Sequence, residues 1–159
     1  MMEKKRVMFI SSTGGHLNEL MQLKKMFSHY DSYLITEKTK SNLSLVDEYG
    51  DRVGFLVYGT KDHPVSYPFK LLYNCFKSLY FYLKIHPDYI ITTGVHTAGP
   101  MCCLGKIFGS RVIYIETFAN LFTKTATGRL IYPIADQFIV QWESMKEVYP
   151  KATYGGWIF

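Results

Sequence analysis

A repeated alternation of short apolar runs with longer amphipathic segments constrains the fold of this chain more than any other feature. The apolar runs are rich in Val, Ile, Tyr and Phe, and they predict strands at residues 6–12, 32–37, 52–58, 88–93, 111–117 and 137–142. The longer segments predict helices at residues 17–27, 42–49, 67–85, 97–108, 125–134 and 144–149. The strands are continuously apolar, which is typical of strands covered by helices on both faces. We therefore predict an α/β fold with a Rossmann-like, doubly wound parallel sheet of about six strands.

Length and composition limit the remaining possibilities. The chain has 159 residues, of which 48% are hydrophobic, so residues 1–159 are expected to form a single folded domain. The formal net charge of +5 favours an anionic partner, such as nucleic acid, phosphate groups or a membrane surface. The three cysteines show no metal-binding or disulfide spacing. The sequence has no signal peptide and no apolar stretch of membrane-spanning length, so we predict a cytoplasmic protein.

Glycine-rich segments follow several predicted strands. The first strand ends in STGGH (residues 12–16), the fourth in TTGVHTAGP (92–100) and the fifth in ETFAN (116–120). In a doubly wound sheet, ligands bind beyond the carboxyl ends of the strands, where the strand order reverses. Glycines allow close backbone approach, and the helix that begins near Leu17 offers free N–H groups to a phosphate or a sugar hydroxyl. We therefore expect His16, His96 and Glu116 on one rim.

Two nucleotide-binding motifs do not fit. A dinucleotide fingerprint GxGxxG that begins at Gly14 would need glycines where His16 and Glu19 stand. Glu37, at the end of the second strand, does occupy the place of a ribose-binding acid, so an autonomous NAD(P)-binding oxidoreductase domain stays open as the alternative. A phosphate-binding P-loop fails because residues 99–106 are one residue too long and Ile107 replaces the hydroxyl residue. No acidic metal motif stands out, so we predict neither a metal nor a cofactor.

Three segments of the chain resemble the PssD-type polysaccharide biosynthesis proteins. They are STGGH, TTGVHTAGP and IYIETFA (113–119), which occur in this order and each at a strand end. The PssD-type proteins are bacterial relatives of the membrane-associated subunit of the eukaryotic transferase that adds the second GlcNAc to the dolichol-linked precursor. The resemblance covers essentially the whole chain. It extends more distantly to the N-terminal half of MurG, whose corresponding turn has glycine in place of Ser12.

The resemblance implies half of a GT-B glycosyltransferase, an enzyme in which two Rossmann-like domains face each other across a cleft. This half would face a lipid-linked sugar acceptor, and a separate donor-binding glycosyltransferase subunit would supply the nucleotide-sugar domain. The implied reaction moves a sugar from a UDP-sugar to an undecaprenyl-pyrophosphate-linked acceptor in capsular or extracellular polysaccharide synthesis. The implied location is the inner face of the cell membrane, with peripheral attachment.

Within this framework, His16 and Glu116 are the predicted catalytic residues. Imidazole side chains commonly act as bases in catalysis, so His16 is the candidate base for the acceptor hydroxyl, with a structural histidine bonded to a backbone carbonyl as the alternative. Glu116 is predicted to hydrogen-bond sugar hydroxyls or the backbone of the STGGH turn, with a purely structural role as the alternative. The residues predicted to bind the acceptor are Thr13, Gly14, Gly15, Gly94, His96 and Thr97.

Residues 67–85 are unusually rich in aromatic side chains. On a helical wheel Lys70, Asn74, Lys77 and Lys84 form one stripe, and the apolar side opposite consists of Leu72, Cys75, Phe76, Leu79, Tyr82 and Leu83. An ordinary crossover helix would pack its most apolar face on the sheet, and we expect that packing here. The segment has more aromatics than one contact face needs, and lysines beside aromatics suit an anionic bilayer surface. The predicted membrane-contact residues are Lys70, Lys77, Lys84, Phe69, Tyr73 and Tyr80.

The last residues, 154–159, leave the strand–helix pattern. Their apolar end, Trp157-Ile158-Phe159, is predicted to contact the partner chain, with packing on its own domain as the alternative. A nucleic-acid partner is not predicted, because the lysines do not combine with base-stacking aromatics in an RNA-binding pattern.

Overall fold

The computed structural model describes residues 4–59, 65–94 and 97–159. Within these ranges the strands form a seven-stranded sheet in the order β3-β2-β1-β4-β5-β6-β7, and every neighbouring pair is parallel. The strands are β1 (Arg6–Ile10), β2 (Asp31–Glu37), β3 (Val53–Leu56), β4 (Tyr89–Thr92), β5 (Arg111–Ile115), β6 (Gln137–Val140) and β7 (Thr153–Tyr154). The order reverses between β1 and β4, so the predicted doubly wound α/β fold is confirmed.

The helices follow the predicted segments with shorter ends. They are α1 (Gly15–Met21), α2 (Leu45–Tyr49), α3 (Tyr67–Ile85), α4 (Gly99–Phe108), α5 (Ala126–Ile131) and α6 (Met145–Val148). The predicted helix at 17–27 begins two residues earlier, at Gly15, and beyond Met21 it tightens into a 3₁₀ helix, Gln22–Met26. The prediction for α3 agrees with the structure at both ends.

The sheet has a separate hydrophobic core on each face. Alternate residues of β1 point to opposite faces, so Met8 and Ile10 join one core while Val7 and Phe9 join the other. Helix α1 packs on the second core through Leu17. Helices α3, α4, α5 and α6 cover the first core. The crossovers therefore change face where the strand order changes direction, as right-handed connections require.

A seventh strand, β7, was not predicted. It pairs with β6 through Thr153 and Tyr154 and carries no apolar run that sequence patterns would detect. Beyond it, the Ile158 N–H donates to Gln141 Oε1 at 3.2 Å. The Trp157 ring packs 5.0 Å from the ring of Trp142, yet 58% of Trp157 stays exposed. The C-terminal tail thus rests on its own domain and still presents aromatic surface.

Helix α3 turns a different side to the sheet from the one predicted. Its buried residues are Asn74, Ser78, Tyr82 and Ile85, so the placement of Asn74 in a solvated lysine stripe was wrong. The Asn74 amide makes two bonds of 2.8 Å to the backbone N–H and C=O of Val57, which satisfies it in the core. The Tyr82 hydroxyl lies 2.6 Å from Ser110 Oγ. These specific bonds offset the cost of burying polar groups.

Only part of the side of α3 that was expected to pack on the sheet does so: Tyr82 is buried, whereas Leu72, Phe76 and Leu83 face outward. Together with the predicted membrane-contact residues Phe69, Tyr73 and Tyr80, they make six large side chains that are 50–73% exposed. At 3.6 residues per turn they occupy one continuous sector opposite the buried face, and the three lysines border that sector on one side. We call this sector the α3 outer face. Among the described residues, no helix is both long and apolar enough to cross a membrane.

Candidate functional site

The candidate site lies at the carboxyl edge of the sheet, where the loops after β1 and β4 meet. Gly14 and Gly94 have φ values of 80° and 107°, a left-handed backbone that favours glycine. A Cβ on Gly94 would also lie 2.8 Å from the Tyr114 hydroxyl oxygen, which is too close. These two turns therefore need glycine for conformation, before any ligand is considered.

His16 joins the two loops. Its Nδ1 lies 3.0 Å from the Thr93 carbonyl oxygen, and the Thr93 hydroxyl donates to the His16 carbonyl at 2.7 Å. A carbonyl oxygen only accepts hydrogen bonds, so in the neutral ring Nδ1 carries the proton and Nε2 holds a free lone pair. In the described part of the chain Nε2 has no hydrogen-bond partner, and 30% of the side chain is exposed. The ring is thus held in the tautomer that presents a basic nitrogen.

Glu19 is a part of this site that sequence reasoning missed. It is buried one helical turn after His16, and its Oε2 lies 3.6 Å from His16 Nδ1. Its other oxygen accepts hydrogen bonds from the Phe118 N–H at 2.6 Å and the Thr117 hydroxyl at 3.2 Å. Among the described residues, Oε2 has no hydrogen-bond donor. A carboxylate in this position stabilises positive charge on the ring when Nε2 takes up a proton.

Glu116 is almost fully buried, and its oxygens are already occupied. Oε2 accepts a bond of 2.9 Å from the Tyr149 hydroxyl, and Oε1 accepts one of 3.1 Å from the Thr117 N–H. The Thr125 hydroxyl also lies within hydrogen-bond distance of both oxygens. Burial raises the pKa of the Glu116 carboxyl, while these hydrogen bonds and the nearby charge of His16 act in the opposite direction. Among the described residues, the partners of the Glu116 carboxyl do not include the backbone of the STGGH turn.

Glu37 links the first loop to the start of the helix after β4. Its Oε2 accepts the Thr13 N–H at 3.2 Å, and its Oε1 accepts the Thr97 hydroxyl at the same distance. The side chain is buried, so it does not extend into solvent as a ribose-binding acid would. The observation that kept an NAD(P)-binding domain open therefore has a structural explanation instead.

The structure brings most of the predicted acceptor-binding residues to one edge. Thr13 and Thr97 meet at Glu37, and Gly94 follows Thr93, which contacts His16. Gly15 has no atom within 4 Å of an added Cβ, so open space lies above it. His96 lies outside the described residues. Within the described ranges, no group of three or more His, Cys, Asp or Glu side chains could hold a metal ion.

Solved structures share this fold. MurG of Acinetobacter baumannii superposes with a TM-score of 0.70 at 19% identity, over 88% of this chain and 42% of MurG. The UDP-GlcNAc 2-epimerase of Methanocaldococcus jannaschii superposes with a TM-score of 0.68 at 13% identity, over 92% of this chain and 42% of the epimerase. The chain thus spans about two fifths of each of these proteins. At this level of identity the comparisons show the fold alone.

Comparisons with sequence relatives identify a family, which the shared fold does not. The "UDP-N-acetylglucosamine transferase subunit ALG14" of Mus musculus is 25% identical over 180 residues, which cover 97% of this chain and 83% of the mouse protein. The subunit of the same name from Kluyveromyces lactis is 26% identical, over 96% of this chain and 78% of the yeast protein. The family model "Oligosaccharide biosynthesis protein Alg14 like" matches residues 60–158. The chain therefore belongs to the Alg14-like family of oligosaccharide biosynthesis proteins.

Proposed function

We propose that this chain is the acceptor-binding, membrane-recruiting subunit of a two-chain glycosyltransferase. The enzyme transfers a sugar from a UDP-sugar to an undecaprenyl-pyrophosphate-linked acceptor, in the capsular or extracellular polysaccharide synthesis typical of PssD-type proteins. Family membership supports a transferase subunit, and the relatives' name makes UDP-GlcNAc the first donor to test. The chain then acts as a single GT-B half, and a separate chain provides the nucleotide-sugar domain.

The observation that carries this proposal is the orientation of His16. Nδ1 is bonded to the Thr93 carbonyl, so Nε2 is the nitrogen available to a ligand at the glycine-rich edge. In the proposed step, Nε2 takes the proton of the acceptor hydroxyl while that oxygen bonds to the anomeric carbon of the donor sugar. The bond from the anomeric carbon to the phosphate oxygen breaks, and UDP leaves. Glu19 stabilises the imidazolium that forms.

The surrounding residues are assigned positioning and binding roles. The loops of Gly14, Gly15 and Gly94 allow the acceptor to approach the backbone closely. Thr13, Thr97 and His96 complete the predicted acceptor surface. Glu116 holds the loop after β5 through buried hydrogen bonds, so we assign it a positioning role.

Membrane recruitment is assigned to α3. Its outer face combines exposed aromatic and aliphatic side chains with a border of lysines, including Lys84, which is exposed. A helix face of this composition binds favourably at the boundary between the headgroups and the acyl chains of an anionic membrane. We propose that this face attaches the subunit peripherally to the inner face of the cell membrane.

The donor-binding partner is proposed to contact the aromatic cluster at the carboxyl edge. Phe118 follows β5, and its ring lies 5.3 Å from Trp157 and 5.6 Å from Phe159. Trp157 and Phe159 remain 58% and 64% exposed, and exposed aromatics are common anchors of protein interfaces.

Reconstitution tests the proposal. The purified chain, the donor-binding chain and both together are incubated with UDP-GlcNAc and a vesicle-embedded lipid-pyrophosphate-linked sugar. We expect transfer only by the pair, because both reactants must be oriented across one cleft. Removal of residues 154–159 should weaken co-purification of the two chains. Robust transfer by this chain alone would overturn the two-subunit proposal.

A further inference from the structure

An apolar groove of about 380 Å³ opens between α3, α4 and α5. It is lined by Leu71, Cys75, Gly99, Pro100, Cys103, Ala126, Thr127 and Leu130. This volume falls within the roughly 300–1,000 Å³ range of small-molecule pockets. We infer that the groove binds the first isoprene units of the lipid-linked acceptor, next to its pyrophosphate. The inference rests on the proposed function and adds a binding site for the lipid chain.

One end of the groove adjoins the candidate site. Helices α3, α4 and α5 each follow a strand, so their first turns lie at the carboxyl edge of the sheet, and Gly99 and Thr127 belong to those turns. The residue after Thr127 is Gly128, whose N–H donates to Thr125 Oγ1 at 2.9 Å. The Thr125 hydroxyl in turn donates to the buried Glu116 carboxylate. The groove therefore begins within the first helical turns beside the edge at which the headgroup is proposed to bind.

The other side of the groove leads to the α3 outer face. Leu71 and Cys75 form the α3 wall of the groove, and at 3.6 residues per turn Leu79 and then the outward-facing Leu72 and Leu83 come next around the helix. An unbroken apolar surface thus runs from the candidate site, through the groove, to the face assigned to the membrane. An isoprenoid chain has to follow such a route, because its headgroup sits in the cleft and its tail stays in the bilayer.

The chemistry of the lining favours a hydrocarbon over a peptide. The lining side chains offer one hydroxyl, on Thr127, and two thiols, and otherwise only carbon. A peptide segment would bring backbone N–H and C=O groups that need partners when buried, and leaving them unpaired costs free energy. An isoprenoid chain has no such groups. It gains the full benefit of removing apolar surface from water.

Cysteine labelling tests the groove without any activity measurement. Cys75 and Cys103 line it and are partly exposed, whereas Cys102 is buried and serves as an internal reference. The wild-type chain is treated with N-ethylmaleimide, with and without farnesyl diphosphate, and each cysteine is followed by mass spectrometry. Burial raises the pKa of Cys75, so the reaction is run at mildly alkaline pH.

Farnesyl diphosphate at ten times its Kd should slow labelling of Cys75 and Cys103 about tenfold. Inorganic pyrophosphate at the same concentration should leave both rates unchanged. Unchanged labelling with farnesyl diphosphate, or equal protection by pyrophosphate, would overturn the inference. Protection of both thiols by the donor-binding chain without lipid would assign the groove to a protein contact and would also overturn it.

A groove-filling variant separates this inference from the proposed function. In the reconstituted pair, Cys75→Trp should raise KM for the lipid-linked acceptor and leave KM unchanged for an analogue that carries a methyl group instead of the lipid. Val46→Trp, at an exposed position of α2 outside the groove, is the control. If the wild-type pair is active and folded Cys75→Trp leaves KM unchanged for both acceptors, the groove inference fails and the proposed function stands. An inactive wild-type pair contradicts the proposed function, and the labelling result then decides the groove.

Discussion

The carboxyl edge of the sheet and the outer face of α3 depart from ordinary globular packing in opposite ways. At the edge, the carboxylates of Glu19, Glu37 and Glu116 are buried and held by hydrogen bonds. On α3, large side chains such as Phe69 and Phe76 face outward. Charged groups are rarely buried without partners, and a contiguous exposed apolar patch usually marks an interaction surface. The contrast is consistent with the two proposed tasks, which are polar chemistry at the edge and membrane attachment on the helix.

Packing of α3 sharpens this contrast. Its inner face uses Asn74 and Ser78 where an ordinary crossover helix would have aliphatic side chains, and Asn74 is bonded to Val57. The helix thus buries Asn74 and Ser78 beside Tyr82 and Ile85, while several large apolar side chains are exposed. This inversion is the pattern expected of a helix whose outer side meets a nonaqueous environment.

Among changes at the carboxyl edge, loss of the His16 base is expected to have the largest effect on activity. His16→Ala should lower kcat of the reconstituted pair by about 10²–10⁴-fold, the usual contribution of general acid–base catalysis. His16→Asn is the matched variant, because its amide can still donate to the Thr93 carbonyl but provides no base. Both variants should lose activity, and His16→Asn should keep the wild-type unfolding curve. An active His16→Asn enzyme would show that the ring only joins the two loops.

Charge removal on α3 tests the other region. Replacing Lys70, Lys77 and Lys84 with Gln should weaken binding to anionic vesicles by about 1 kcal/mol per lysine in contact with the surface. The control changes three exposed lysines elsewhere, Lys24, Lys25 and Lys40, and removes the same charge. Vesicle sedimentation at two salt concentrations measures the difference. Equal loss of binding in both variants would mean that overall charge, and not α3, controls attachment.

Two glycine substitutions compare packed and open positions of the edge. A Cβ on Gly128 would lie 2.5 Å from Glu116 Oε2 and 2.7 Å from Thr125 Oγ1, so Gly128→Ala should lower the free energy of unfolding by about 1–3 kcal/mol. Gly15 has open space, so Gly15→Ala should change stability by less than about 0.5 kcal/mol. If the acceptor approaches the backbone of Gly15, Gly15→Ala should nevertheless raise the KM for the acceptor. Urea unfolding and steady-state kinetics measure the two effects, and the opposite order of stabilities would contradict the packing described here.

The smallest expected effect is a pH dependence at Glu116. Burial raises its folded-state pKa above the ordinary value of 4.5, so the native state binds this proton more tightly than the unfolded chain does. The resulting stability is fully present below the unfolded pKa and is lost as the pH rises through the folded pKa. Urea unfolding is measured at pH values from below the unfolded-state pKa of Glu116 to above its folded-state pKa. The free energy of unfolding should fall more steeply with pH for wild type than for Glu116→Gln. Parallel curves would show that Glu116 titrates normally.

Local patterns in the sequence were enough to predict much of the fold. Apolar runs located six of the strands, and the periodicity of residues 67–85 gave both ends of α3. The orientation of α3 was not predictable in this way, because it depends on the bond between Asn74 and Val57, which lie 17 residues apart. Hydrophobic periodicity alone favoured a face of which Tyr82 is buried but Leu72, Phe76 and Leu83 are exposed. The two-residue strand β7 is too short to produce any periodic pattern.

For the site, sequence motifs located the loops but not the network beneath them. Glycine-rich strand ends predicted that His16, His96 and Glu116 would lie at one edge, and the contact between His16 and Thr93 lies there. Glu19 went unnoticed because its partners, Thr117 and Phe118, are 98 and 99 residues away along the chain. Its position three residues after His16 in a predicted helix was the available signal, since such pairs share a helix face.

The central claim is that the carboxyl edge of the sheet carries out the chemistry and the α3 outer face attaches the chain to the membrane. One assay with two forms of the acceptor tests this claim most directly. The reconstituted pair is given the same lipid-linked sugar either embedded in anionic vesicles or dispersed in detergent. His16→Ala should lose activity with both forms, whereas the double variant Phe69→Glu, Phe76→Glu should lose activity only with vesicles. Equal losses of the α3 variant in vesicles and detergent, or loss of His16→Ala activity in vesicles alone, would contradict this division.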